Sequence, residues 1–487
     1  MIFPSYDFTD KLAVEYEFIP VCKEIYADTV TPIALLLKLS ETDKNYYLLE
    51  SVEEVKMWGR YSFIGYDPLL IVYGKDHKVT VKSNESEQTE VANPYEVLKR
   101  LLNQYKSPQL KELPPFTGGF VGYFSYEMIR YAEPKLKLKQ NDIFYDFYLM
   151  LFHKVIAFDH LQQKIYVICN YKTKEKKSGY DAALLEIDQM IQLIQDSVFL
   201  PKQAMSQPPV FSCNLSKEEY CAMVEKTKEY IKEGDIFQAV LSRRFEASYT
   251  DSLLNAYRML RTTNPSPYMY FIHCEEFEIA GSSPETLVKL TNGTLTTFPI
   301  AGTRPRGSNE REDKELEKEL LADEKECSEH NMLVDLARND IGKLAQYCSI
   351  CVNDYMKVLR FSKVMHLTTK VTGSLQKGKD ALDTIAAILP AGTLSGAPKF
   401  RACEIINELE PVARGVYGGA IGYLDLSGNL DSCIAIRTAI KYKNQVYVQA
   451  GAGIVADSIP EREYEETMQK ASAIIEAIVK AGEVNNI

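Results

Sequence analysis

The chain has 487 residues, 46% of them hydrophobic and 25% charged, a composition that fits a large buried core and two or three domains. A formal charge of −11 argues against a polyanionic partner, because nucleic-acid binding relies on a cationic surface that releases counterions. No apolar run approaches the roughly 18 residues needed to cross a bilayer, and the opening MIFPSYDFTDKLAVEYE lacks the basic-then-apolar pattern of a signal peptide, so a cytoplasmic protein without membrane contact is expected.

Residues 44 to 73, rich in β-branched and aromatic side chains, read as a strand, a short helix and two strands. Residues 145 to 170 read as a hairpin turning at His160 to Gln163, and 180 to 197 as a helix with apolar residues at helical spacing. The Pro- and Gln-bearing stretch 199 to 213 reads as a linker, which separates a domain over 1–200 from a second over 212–487. Ser216 and Glu219 form a capping-box pattern for a helix ending near Gly234, followed by a strand from Ile236 to Phe245. Asn292-Gly293 is the favoured pair for a tight type I′ hairpin turn, and 312 to 340 reads as a long charged helix or helix pair. From 415 to 455 the pattern suggests a three-strand meander with turns at Ser427 to Asn429 and Lys443 to Gln445. A last helix is expected after a second capping signal, Ser458-Ile-Pro-Glu461, running to about Ala481. No repeat of 20 to 50 residues is visible.

The ten cysteines are scattered, as expected of buried small apolar residues in a reducing compartment. Only Cys348 and Cys351 make a C-x-x-C. Zinc would need a second such pair, and AQYCSICVND reads as a strand, so a structural role is expected there.

Strand alternation puts Arg437 on one face with Cys433, Ala435 and Ala439, leaving room around a guanidinium suited to carboxylate recognition. On the adjoining strand Gly451 and Gly453 share a face and permit close backbone approach by a ligand, and Tyr417 could add a hydroxyl. Glu326 and Glu329 lie one helical turn apart, as do Glu463 and Glu466, so each helix can aim an acid at a shared site of the kind that holds Mg²⁺. Spacing alone does not separate this from two solvated helix faces.

Seven strings occur in order: PIAGTRPRG (299–307), SEHNMLVDLARND (328–340), AGTLSGAPK (391–399), VYGGAIGY (416–423), IAIRTA (434–439), QAGAGIVADS (449–458) and EREYEET (461–467). Together they resemble the serial motifs of the chorismate-binding enzymes. LLES and RYSFIG resemble the N-terminal part of the same family. AGTLSGAPK is not a Walker loop, having no Gly four residues before a Gly-Lys-Ser/Thr triplet. The resemblance implies an α+β fold, a large antiparallel two-sheet β sandwich wrapped by helices. It also implies that Glu329 and Glu466 ligate Mg²⁺, and that Gly302, Thr303, Tyr417, Arg437, Gly451, Ala452, Gly453 and Lys470 contact chorismate. Glu285 in GSSPE resembles the general acid that protonates the departing C4 hydroxyl, His366 in KVMHL the histidine that assists proton transfer, and Thr393 a further catalytic position.

Within the family, aminodeoxychorismate synthases carry a nucleophilic Lys where this chain has Ala301, and water-adding relatives carry a Lys base where it has Gln238. A neutral amide can hydrogen-bond ammonia but cannot deprotonate water, so the resemblance narrows to large subunits of the anthranilate synthase type. These implications are ammonia addition at C2, loss of the C4 hydroxyl, and release of pyruvate to give anthranilate. Glu50 and Ser51 with Asn264, Pro265, Pro267, Tyr268 and Met269 resemble the split feedback site for L-tryptophan. The chain carries no recognisable amidotransferase Cys motif, so a separate glutamine amidotransferase subunit, in a heterotetramer, is the expected source of ammonia. Alternatives are a synthase that stops at 2-amino-2-deoxyisochorismate, an aminodeoxychorismate synthase, disfavoured by Ala301, and an inactive tryptophan-binding regulator.

Overall fold

Two antiparallel sheets, of 13 and 12 strands, are found in the computed structural model, which describes residues 2–51, 59–196, 207–360 and 364–486. Their inner faces meet in an aromatic core that includes Tyr47, Phe63, Tyr123, Tyr148, Phe152, Tyr270 and Ile421. Helices cover the outer faces. Lys176–Gln195 packs on the Lys164–Lys172 strand and Pro460–Val479 on Gln445–Ile454. This is the helix-wrapped α+β sandwich implied by the motifs. No helix among the described residues is long and apolar enough to cross a membrane.

The order of elements repeats once along the chain. In the first half the strands Phe18–Tyr26, Tyr46–Glu50, Tyr61–Tyr66, Lys154–Asp159 and Lys164–Lys172 share one sheet, and Leu70–Lys75, Lys78–Ser83, Gly119–Phe124 and Phe147–Phe152 the other. In the second half Gln238–Ser248, Tyr268–His273, Phe277–Ser283, Thr438–Tyr442 and Gln445–Ile454 pair among themselves in the same pattern. Thr286–Thr291, Thr294–Thr297, Ala420–Asp425 and Leu430–Ile434 do likewise in the other sheet. The halves join edge to edge, Tyr46–Glu50 on Tyr268–His273 and Gly119–Phe124 on Ala420–Asp425. Each sheet therefore draws strands from both sides of the expected linker, whose residues 197–206 lie outside the described residues. A repeat on this scale escapes a search for short periods.

Four strands are continued, within one to three residues, by a strand of the opposite sheet: at Asp67–Leu69, His153, Pro284–Glu285 and Ala435–Arg437. The last of these corrects the expected three-strand meander. Leu430–Ile434 lies in one sheet and Thr438–Tyr442 in the other, so Arg437 does not share a strand face with Cys433, Ala435 and Ala439. It sits at the crossing with φ 49°, a left-handed conformation that costs a side-chain-bearing residue roughly 1–2 kcal/mol. The crossing at Glu285 lies alongside. Ser282 N–H donates to the Arg437 carbonyl at 3.1 Å, and Ile434 N–H to the Glu285 carbonyl at 3.0 Å.

Local signals hold where side chain and backbone bond directly. Ser216 and Glu219 form the full capping box of Lys217–Glu233, which ends at left-handed Gly234. Asn292 and Gly293 both take positive φ in their hairpin. The charged stretch is a helix pair, Glu310–Ala322 and Glu324–Gly342, with Asp323 capping the second. Other expectations shift. Ser458 does not cap the last helix; its hydroxyl accepts the Val455 N–H instead. Only half of the cysteines are buried, and Cys348 and Cys351 are exposed, with Cys348 in a turn at φ 60° and the strand starting at Cys351. The short helix expected between Glu50 and Arg60 falls on 52–58, outside the described residues.

Candidate active site

The paired crossings open into a cavity of about 880 Å³. Its floor is the Gln445–Ile454 strand, one wall is the helix Glu324–Gly342, and another is the helix Pro460–Val479. Of the residues singled out for catalysis, substrate and metal, Gln238, Glu285, Thr303, Glu329, His366, Thr393, Tyr417, Arg437, Gly451, Gly453, Glu466 and Lys470 all line it, together with Ala301. Two do not. Ala452 turns its side chain into the core beside Ala239 and Leu241, as alternation beside Gly451 and Gly453 requires, and Gly302 is buried in a bulge of the strand Ile300–Pro305.

Glu285 lines the cavity and a smaller pocket next to it. Its Oε1 accepts the Thr393 hydroxyl at 2.9 Å, and burial pushes its carboxyl up to about 7, against the pull of Thr393, Lys470 and Arg437. A carboxyl tuned to neutrality is suited to giving up a proton. His366 Nδ1 lies 3.1 Å from the Gly302 carbonyl and 3.0 Å from Thr303 Oγ1. A carbonyl only accepts, so Nδ1 carries the hydrogen and Nε2 the lone pair. Burial, with Arg437 adding to it, holds the imidazole below its ordinary pKa and hence neutral.

Backbone proximity on the floor depends on two glycines. A Cβ on Gly453 would stand 2.5 Å from Gln238 Nε2, and one on Gly451 2.7 Å from the Tyr417 hydroxyl. Glycine at both positions lets the amide and the phenol reach over bare backbone. Lys470 donates to the Gly451 carbonyl at 3.2 Å and pairs with Glu466 at 2.6 Å.

Four carboxylates, Glu326, Glu329, Glu463 and Glu466, face the cavity from the two wall helices. Burial, then Glu326 and Glu466, push the Glu329 carboxyl up despite Lys325 and Lys470. Hard oxygen donors in such surplus fit a divalent cation of the Mg²⁺ class, which takes one or two carboxylates and fills its octahedron with water and anionic ligand.

Sequence patterns missed what lies beneath the floor. Arg414, 2% exposed, donates to Glu410, to the Leu394 carbonyl next to Thr393, and to the Val240 carbonyl two residues from Gln238. Its guanidinium lies 5.6 Å from the centre of the Tyr417 ring. Glu410 in turn holds Ser242 N–H and Oγ. The i, i+4 spacing of Glu410 and Arg414 was the one available signal, common enough on solvated helices to be passed over. Arg414→Met is expected to destabilise the fold by about 3–5 kcal/mol by stranding a buried carboxylate, read as a lowered urea midpoint.

The residues of the expected inhibitor site divide between two cavities. Asn264, Pro265 and Pro267 line the large one, while Glu50, Ser51, Pro267, Tyr268 and Met269 line a separate aromatic pocket of about 90 Å³ with Tyr61, Phe63, Tyr270 and Tyr423. Pro267 is common to both. Glu50 is held by the Tyr257 hydroxyl and by Arg261, whereas Ser51 Oγ is buried without a hydrogen-bond partner among the described residues.

Comparison with known proteins gives four further findings. The family described as chorismate binding enzyme matches residues 45–476. An anthranilate synthase component 1 from Acetivibrio thermocellus is 46% identical over 99% of this chain and 100% of its own length. Among solved structures, anthranilate synthase component I from Streptococcus pneumoniae superposes with a TM-score of 0.78 at 38% identity, covering 93% of this chain and 99% of that one. The menaquinone-specific isochorismate synthase of Escherichia coli shares the fold at a TM-score of 0.69 and 20% identity, with 97% and 98% covered.

Proposed function

The chain belongs to the chorismate binding enzyme family, and from that premise we propose that it converts chorismate and ammonia to anthranilate and pyruvate, the activity its component 1 relatives are named for. The observation that carries the reading is Glu285, a carboxyl poised near 7 at the crossing of two sheets, in a cavity that His366 and Arg437 also line. Ammonia, hydrogen-bonded by Gln238, adds at C2 while Glu285 protonates the departing C4 hydroxyl, which leaves as water. His366 then assists removal of the C2 proton, and expulsion of the enolpyruvyl group as pyruvate completes the aromatic ring. Arg437 and Tyr417 hold the enolpyruvyl carboxylate. Ala301 has no amine to attack the ring, which disfavours aminodeoxychorismate chemistry. Glu329 and Glu466 would hold Mg²⁺, which when bound supplies the positive charge that fixes the ring carboxylate.

Incubating the chain with chorismate, Mg²⁺ and ammonium should produce anthranilate fluorescence. A non-fluorescent amino acid product would instead identify a synthase that stops at 2-amino-2-deoxyisochorismate. We assign ammonia delivery to a glutamine amidotransferase partner, supported by the component 1 name of the relatives. Glutamine should then be inert with this chain alone, and glutamine hydrolysis by the lone chain would refute the assignment. Ten free cysteines accord with a cytoplasmic setting.

The small pocket is the proposed site of L-tryptophan feedback. Its volume admits only part of an indole, so occupation parts its walls, and Pro267 carries that displacement to the substrate cavity. Ser51 Oγ is the polar group an amino acid would satisfy. Ser51→Ala is expected to raise the inhibitory tryptophan concentration at least tenfold while sparing uninhibited turnover. Equal loss of both in steady-state assays would sink the reading.

A further inference from the structure

The internal repeat gives the catalytic crossings a counterpart in the first half of the chain. The crossing at Asp67–Leu69 corresponds to Pro284–Glu285, and the crossing at His153 to Ala435–Arg437. The helix Lys176–Gln195 over the Lys164–Lys172 strand corresponds to Pro460–Val479 over Gln445–Ile454. In the second half this arrangement gathers Glu285, Arg437 and Glu466. The first half gathers another set: Asp67 and His153 from its crossings, Cys169 from the strand and Glu186 from the helix.

We propose that His153, Cys169 and Glu186 bind a borderline-soft divalent cation of the zinc class, at a second site remote in sequence from the substrate cavity. One ligand atom from each residue lies within 4.8 Å of the other two, and among the described residues this is the one trio of metal-capable side chains so placed. Donors around a tetrahedral zinc with bonds of about 2.0–2.3 Å sit roughly 3.3–3.7 Å apart, so contraction of about 1 Å completes the site. His153 Nε2 faces Glu186 Oε2 at 3.6 Å, and His153 Nδ1 is buried with no hydrogen-bond partner among the described residues. A buried ring nitrogen without such a partner has a lone pair to offer a cation.

The donor set chooses the ion. Thiolate and imidazole favour zinc-class metals, whereas Mg²⁺ takes oxygen ligands, so this site and the carboxylate cleft would not compete for one metal. Three protein donors leave a fourth position for water. The thiol proton leaves to solvent as the metal–sulfur bond forms. Asp67 and Glu186 both engage Lys154, at 2.6 and 3.6 Å, which orients Glu186 from behind, and Asp67, Glu186 and a thiolate offset Lys154 and a divalent ion in charge.

The test uses Co²⁺ as a coloured probe, on the full chain carrying Cys348→Ser and Cys351→Ser, so that the exposed pair cannot contribute. Titration with excess Mg²⁺ present should raise a saturable thiolate-to-cobalt absorption band that Zn²⁺ abolishes. Cys169→Ser should eliminate the band. His153→Gln should weaken binding by more than the roughly 10–100-fold typical of second-shell changes, and Glu285→Gln should leave the band intact. Absence of the band in the Cys169-bearing chain overturns the proposal, as does its persistence in a Cys169→Ser variant with native circular dichroism. If that variant does not fold, unaltered affinity in His153→Gln refutes the site equally.

Discussion

Glu285→Gln is expected to lower kcat by about 10²–10⁴-fold with little change in KM for chorismate. The amide keeps the size of the side chain and can still accept the Thr393 hydroxyl, so the cavity wall survives while the transferable proton is lost. In the unaltered chain kcat/KM should fall as pH rises through about 7, because the acid form is the active one and burial sets its pKa there. Stability has a matching signature. Between the ordinary carboxyl value of 4.5 and about 7 the folded state holds a proton that the unfolded state has released, so this group's contribution declines as pH rises across that window. Glu285→Gln removes that decline and should melt higher than the parent above pH 7. An active, pH-insensitive variant would remove Glu285 from the mechanism.

The second large effect is expected at Glu466. Its carboxylate shares the cleft with Glu329 across two helices and pairs with Lys470 at 2.6 Å. Glu466→Ala should reduce turnover at fixed Mg²⁺ by more than the roughly 10–100-fold seen for residues that only support a ligand, with partial recovery at high Mg²⁺. Glu465→Ala, at an exposed neighbour outside the cavity, is the control. Rates measured against Mg²⁺ concentration decide it, and an unchanged Mg²⁺ requirement in Glu466→Ala would exclude this residue as a ligand.

The sequence was legible wherever one side chain acts on its own backbone or carries a motif's chemistry. The capping box at Ser216, the hairpin at Asn292-Gly293 and the ordered strings around Glu329, Thr393 and Glu466 all belong to that class. It was illegible where the outcome depends on which distant strand a segment meets. Alternation along 430–442 is identical whether the chain stays in one sheet or changes sheets at Ala435–Arg437, so Arg437 was given a face it does not have. Arg414 shows the same limit, because its partners Val240 and Leu394 lie 174 and 20 residues away. Ser458 failed for a local reason: the Val455 amide took its hydroxyl before the helix could.

The edge-to-edge union of the halves also bears on synthesis. Leu48 pairs with Phe271 and Gly122 with Gly422, so one edge of the first half waits for a strand made just past the middle of the chain and the other for a strand made near its end. Until then the nascent first half presents two unpaired strand edges, Tyr46–Glu50 and the apolar Gly119–Phe124, for a long interval. Contacts so distant in sequence make for slow, late-committing folding, and the yield of soluble protein should depend on chaperone supply more steeply than the stability of the finished sandwich would suggest.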